Sequence, residues 1–190
     1  MFVYKNKYFL IIESIKDIDL SNIKNTHKFN IIYRKVNKIE NIDKLIKFRK
    51  LCNSKKINFF VYNDIRLLSD IRANGLYISA FNQNLRLSLI KKFNFKIVGS
   101  AHNIKEINIK ISQGCSEIFY SRLFKTSYSN KKSFLGLVKY NLMRNMLKRN
   151  LTPLGGIKLT NINKLKSVRC NSIAIMSEIK KKPAIISRLF

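Results

Sequence analysis

At 190 residues the chain is long enough to bury a hydrophobic core without disulfide or metal staples, and its 46% hydrophobic share excludes disorder. Two prolines and six glycines exclude a linker-rich or fibrous protein. The 38 Lys and Arg against 10 Asp and Glu, a net charge of +28, would suit nucleic acid, an anionic membrane or a polyanionic substrate. The lysines, however, run evenly along a chain also rich in Asn, Ile, Phe and Tyr, as A/T-rich codons would dictate.

The first apolar run, Tyr8–Ile12, is too short for a signal-peptide core or a membrane span, so the sequence predicts a soluble cytoplasmic protein without a membrane partner. Cys52, Cys115 and Cys170 match no metal-ligand spacing, and an odd count suits a reducing compartment; they read as small buried hydrophobes. Short β-rich runs then recur at Phe29–Tyr33, Asn58–Tyr62, Gly75–Ser79, Phe95–Gly99, Glu117–Tyr120, Thr152–Gly155 and Ser172–Met176. Between them lie helical faces: Leu45, Phe48, Leu51 and Cys52; Leu85, Leu89 and Ile90; Ile104, Ile107 and Ile111. Alternating strands and helices predict a parallel sheet. Eight strands at a repeat of roughly 24 residues fit one compact α/β domain over residues 1–190, a (β/α)₈ TIM barrel with brief helices. A Rossmann-like sheet would need a Gly-rich loop after its first strand, where Glu13-Ser14-Ile15-Lys16 stands instead.

In such barrels the loops at the carboxyl ends of the strands carry function. Those ends supply Arg34 and Lys35, then Asn63 and Asp64, then Ser100, Ala101 and His102. Ser121, Arg122 and Thr126 follow the sixth strand, Gly155-Gly156 the seventh, and Ser177 the eighth. Each has a plainer reading: Asn63-Asp64 as a helix N-cap, His102 as a capping or packing residue, the glycines as a tight turn. Together they suit a phosphorylated small molecule. Amides of Gly156 and Ser177 near the starts of the last two helices would cradle one phosphate. Arg34, Lys35 and Arg122 would neutralise further oxygens, and Asp64 would hold one Mg²⁺ bridged to a diphosphate.

Several ordered segments resemble the thiamine phosphate synthase and TenI superfamily over nearly the whole chain. They are Ile31-Ile32-Tyr33-Arg34, Val61-Tyr62-Asn63-Asp64, Ala73-Asn74-Gly75-Leu76-Tyr77-Ile78 and Gly99-Ser100-Ala101-His102. Gln113-Gly114-Cys115-Ser116, Ser121 to Thr126, Leu135-Gly136, Pro153 to Ile157 and Ile173 to Ser177 continue the series. The resemblance implies a barrel that joins hydroxymethylpyrimidine diphosphate to a thiazole phosphate, giving thiamine phosphate and diphosphate. Diphosphate would leave first and the thiazole nitrogen would capture the resulting pyrimidine cation, so catalysis would be electrostatic preorganisation. It further implies that Arg34, Ser100 and Thr126 act in catalysis and that Arg34, Asn63, Thr126, Lys131, Gly155, Gly156 and Ser177 bind substrate or phosphate. Asp64 would bind Mg²⁺, with Asn82 replacing the family's second metal-binding aspartate. Other departures are Ile32 where synthases carry Gln, Ser127 to Lys131 in place of Pro-Thr-Lys, and Arg122 in the loop that carries the tautomerases' histidine.

Three readings follow, in descending order. The first is a divergent thiamine phosphate synthase. The second is a superfamily member that binds thiazole or pyrimidine phosphates without this catalysis. The last is a basic nucleic-acid binder, which no recognition helix, aromatic-basic motif or zinc spacing supports. An apolar stripe on an outer helix would suit a homo-oligomer.

Overall fold

The computed structural model describes residues 6–23, 26–35, 40–126, 133–147, 149–176 and 179. The β-branched and aromatic runs become β1 (Lys7–Ile12), β2 (Phe29–Tyr33), β3 (Asn58–Tyr62), β4 (Gly75–Ile78), β5 (Lys96–Ala101), β6 (Glu117–Ser121), β7 (Leu151–Leu154) and β8 (Ser172–Ile175). Each pairs in parallel with the next, and β8 returns to β1 with Phe9 opposite Ala174, closing the barrel.

Strands in a closed barrel have both faces covered, which explains runs that are apolar at nearly every position. Alternate side chains point inward: Phe9, Ile11, Ile32, Phe60, Tyr77, Val98, Phe119 and Ala174 fill the lumen. Phe9 meets Phe119 edge-on at 4.9 Å, and Tyr77 lies 5.5 Å from the same ring. The intervening residues, among them Leu10, Ile31, Phe59, Leu76, Ile97, Ile118 and Ile173, face the outer layer. Burying each such side chain contributes about 1.5–3 kcal/mol.

At the amino end of the strands the lumen is sealed by polar side chains. Asn58 Nδ2 donates to Asn30 Oδ1 at 2.8 Å, Lys96 Nζ donates to Asn58 Oδ1 at 3.2 Å, and the Glu117 carboxylate accepts from the hydroxyls of Thr152 and Ser172. That end is therefore filled and self-satisfied.

The outer layer is as brief as the chain length requires. Among the described residues its α-helices are α1 (Ile42–Ser54), α2 (Ile65–Asp70), α3 (Ile104–Ser112) and α4 (Gly136–Leu147), and there the connections after β1, β4 and β7 hold only 3₁₀ segments. Short helices depend on good ends. Asn41 caps α1 by accepting from the Asp43 and Lys44 amides, and Asn103 caps α3 by accepting from Glu106 N.

Several expected faces are corrected. Leu51 on α1 and Ile104 on α3 are exposed, while Leu45, Cys52 and Ile107 are buried. Leu85 and Leu89 are also exposed, because Leu85–Phe93 winds as a 3₁₀ segment whose three-residue turn brings Leu87 inward with Ile90. β5 and β6 extend to Ala101 and Ser121, whereas β4, β7 and β8 stop one residue early, leaving Ser79, Gly155 and Met176 beyond the strands. Cys52 and Cys170 are buried as read; Cys115 is only partly so.

Candidate active site

At the carboxyl end of the strands the polar residues are tied to one another. Arg34 N continues the β1–β2 ladder by donating to Ile12 O at 2.8 Å, which aims its side chain across the barrel mouth. The guanidinium lies 5.5 Å from the centre of the Tyr62 ring, and Nη1 is 3.5 Å from Met176 Sδ. Such a cation over a π face is held without loss of its outward N–H donors. Beneath it, Tyr62 packs on Tyr77 at 5.6 Å, and Ser100 stands near the Tyr77 hydroxyl. Burial pushes the Tyr77 phenol above its ordinary value, so it stays neutral.

Asn63 follows β3 in the left-handed conformation, φ 49°, which Asn tolerates better than most side chains. Its Oδ1 accepts from Ser79 N at 3.0 Å and its Nδ2 donates to Ser79 Oγ at 2.9 Å, so it clamps the ends of β3 and β4 together. Asn82 Nδ2 approaches the same Oδ1 at 3.4 Å, while Asn82 Oδ1 accepts from Asn84 N at 3.0 Å.

Asp64 serves two purposes. Oδ1 accepts from Leu67 N at 2.9 Å and caps α2; Oδ2 lies 3.3 Å from Lys35 Nζ. Partial burial by itself would raise this carboxyl, but the Leu67 amide and Lys35 outweigh it and hold the group below its usual range. Lys35 is thus committed to Asp64 in this state, whereas the sequence assigns it to phosphate.

On the opposite side, Gly155 and Gly156 adopt φ of +96° and +70°. A Cβ on Gly156 would lie 2.5 Å from Phe124 O and 2.7 Å from Lys125 O, so glycine is what allows the loop after β6 to lie on this turn. Leu123 N and Phe124 N donate to Leu154 O and Gly155 O, extending the β6–β7 pairing into that loop. Two residues on, Thr126 has its hydroxyl buried and without a hydrogen-bond partner among the described residues. An orphaned buried hydroxyl costs about 1–3 kcal/mol unless a ligand meets it. Lys131 and Ser177 lie outside the described residues.

One sequence expectation changes here, and one plainer reading holds. Gly156 does not start a helix: the next helical segment after β7 is a 3₁₀ run beginning at Ile162, and Asn161 Nδ2 holds Gly156 O at 2.8 Å. The Gly156 amide therefore draws no support from an adjoining helix dipole. His102 takes its plainer reading, with Nδ1 3.0 Å from Glu106 Oε2 and its ring against Phe81. Sequence reasoning missed Tyr62, Tyr77, Met176 and Ser79. The period of two from Phe60 to Tyr62, pointing Tyr62 into the lumen, was the available signal for the first.

Fold and site together define a (β/α)₈ barrel with polar and cationic side chains at the carboxyl end of its strands. The family described as thiamine monophosphate synthase matches residues 25–179, and the chain belongs to it. A thiamine-phosphate synthase of Pelagibacter ubique is 27% identical over 166 residues, covering 85% of this chain and 80% of that protein. One of Prochlorococcus marinus subsp. pastoris is 28% identical over 88% of this chain, which spans only 47% of that longer protein. Among solved structures, thiamine phosphate pyrophosphorylase from Pyrococcus furiosus superposes with a TM-score of 0.70 at 15% identity, covering 97% of both chains. The YdjI aldolase from Escherichia coli K12 reaches 0.66 at 11% identity, over 92% of this chain and 76% of that one, so backbone likeness speaks for the barrel alone.

Proposed function

We propose that this chain acts as a thiamine-phosphate synthase, joining hydroxymethylpyrimidine diphosphate to a thiazole phosphate with release of diphosphate. The observation that carries the reading is the buried Thr126 hydroxyl, without a hydrogen-bond partner among the described residues and held one residue beyond the Phe124–Lys125 backbone that rests on Gly156. In this reading Thr126 and Arg34 receive diphosphate oxygens, and Arg34 offers a fork that its seat over Tyr62 keeps oriented. Asn63 orders that corner through Ser79, while Ser100 and the neutral Tyr77 line the floor. Lys131 would add a further cation, and Gly155, Gly156 and Ser177 would take the thiazole phosphate.

The donor set fits one Mg²⁺, which Asp64 and Asn82 would hold together with substrate. Mg²⁺ is ordinarily held by one or two carboxylates plus phosphate oxygens and water. Asp64 supplies a single carboxylate, and the Asn82 amide oxygen, engaged once by Asn84 N, keeps a second lone pair. Among the described residues there is no group of three His, Cys, Asp or Glu that could hold a metal without substrate. When bound, the ion would neutralise charge on the departing diphosphate. Lys35, 3.3 Å from Asp64 Oδ2, would stand beside it as a further cation for the phosphates.

No helix among the described residues is long and apolar enough to cross a membrane. We place the activity in the cytoplasm, on phosphorylated small molecules, with the exposed Val138, Leu142 and Met146 of α4 as the candidate stripe for homo-oligomerisation. The test is to incubate purified protein with both precursors, with and without Mg²⁺, and measure thiamine phosphate and diphosphate. Product that needs both precursors supports the synthase. Tight binding of either phosphate without product supports the non-catalytic family member instead.

A further inference from the structure

The Lys110 side chain on α3 is fully buried, and nothing in the proposed chemistry uses it. A buried ammonium is costly unless its three donors find acceptors. Its stem reaches inward across β5 at Gly99, where a Cβ would lie 2.8 Å from Lys110 Cδ and 2.8 Å from Cys115 Sγ; glycine opens that passage. The ammonium then donates to Asn82 O at 2.6 Å and to Gln113 Oε1 at 2.8 Å. Gln113, equally buried, donates through Nε2 to Asn82 O at 2.9 Å and Asn84 O at 3.1 Å. These acceptors are all neutral. The neighbouring Cys115 thiol is pushed up to about 12 by burial, so it supplies no thiolate as counter-charge at neutral pH.

Two side chains from the helix between β5 and β6 therefore grip the turn that follows β4. That turn presents Asn82 to Asn63, and Asn63 in turn fixes Ser79 and adjoins Asp64. A grip of this kind exceeds what packing alone requires, since an apolar residue at position 110 would fill the space without desolvating a charge. We propose that Lys110 and Gln113 are positioning residues for the diphosphate end of the site, holding the Asn82 turn in the orientation that meets the ligand. The proposal rests on the diphosphate-binding reading given above.

The experiment measures binding of inorganic diphosphate with Mg²⁺, and separately of the thiazole phosphate, to the full chain by calorimetry. Wild type is compared with Lys110→Met and Gln113→Leu, each kept well below its own unfolding midpoint. We expect Lys110→Met to weaken diphosphate binding tenfold or more while thiazole phosphate affinity stays within twofold, a split that a purely structural role would not produce. Should Lys110→Met fail to fold, Gln113→Leu, which retains the ammonium and its bond to Asn82, carries the same test with an expected loss of threefold or more. Variants that bind diphosphate like wild type, or that lose both ligands equally, overturn the inference alone. A wild-type protein that binds neither ligand overturns the site reading and this inference with it.

Discussion

Replacing Gly156 with alanine separates the roles of backbone strain and loop packing. The residue sits at φ +70°, where an L side chain costs about 1–2 kcal/mol. Its new Cβ would also stand 2.5 Å from Phe124 O and 2.6 Å from Phe124 C, backbone atoms that no rotamer change can move aside. Overpacking of that kind adds about 1–3 kcal/mol. Gly136 provides the control, since its φ is +73° but a Cβ there would meet nothing within 4 Å. Gly136→Ala should therefore cost only the conformational part. With about 2–4 °C of midpoint per kcal/mol in a chain of this size, Gly156→Ala should melt roughly 4–20 °C below wild type and Gly136→Ala about 2–8 °C below it. Thermal unfolding followed by circular dichroism reads both. Because the clash pushes on the two residues before Thr126, Gly156→Ala should also lose thiamine phosphate synthesis at temperatures where it remains folded. Equal melting of the two variants, with full activity in Gly156→Ala, would refute the claim that the loop after β6 rests on this glycine.

Asp64→Asn keeps a good N-cap and removes the charge, so it should abolish Mg²⁺-dependent turnover with little change in stability; Asp64→Ala should lose turnover and about 0.5–2 kcal/mol as well, read by denaturant titration. The lowered Asp64 carboxyl contributes stability in full above its ordinary value of 3.8, and that contribution fades as pH falls through the lower folded value. Acid titration of wild type should therefore converge on Asp64→Asn at low pH. Arg34→Lys keeps the charge but loses the fork, and should lower kcat/KM about 10- to 100-fold, roughly 1.4–2.8 kcal/mol. Cys52 and Cys115, both pushed up to about 12, should resist alkylation at pH 8 in the folded chain and react once it is unfolded in urea.

The strands were legible because a closed barrel buries both faces of each, and eight such runs stand out against polar connections. The faces of the outer layer were harder. At Leu85–Phe93 an α-helical period selects Leu85 and Leu89, while the 3₁₀ winding buries Leu87, and composition alone does not distinguish the two periods. Most site residues could be placed because strand ends map to one end of the barrel. Their partnerships could not. That Lys35 meets Asp64, or that Asn63 clamps Ser79, depends on side-chain reach between neighbouring strands of different sequence position. Lys110 was hidden most thoroughly, since a lysine in an amphipathic helix reads as a solvated one.

The uses found for these cations also bear on the charge of the whole chain. Lys96 closes the amino end of the barrel on Asn58, and Lys110 grips two neutral oxygens under the Asn82 turn. Lys35 answers the carboxylate of Asp64, and Arg34 lies over Tyr62. Four cations from three different layers of the molecule are thus employed as hydrogen-bond donors or packing groups, each with its own local partner. Where a biased composition supplies lysine in place of other polar residues, the fold can still use its stem for packing and its ammonium for neutral oxygens, provided the acceptors converge. Lys110 carries that use furthest: its ammonium holds the turn whose Asn82 reaches Asn63, next to Asp64.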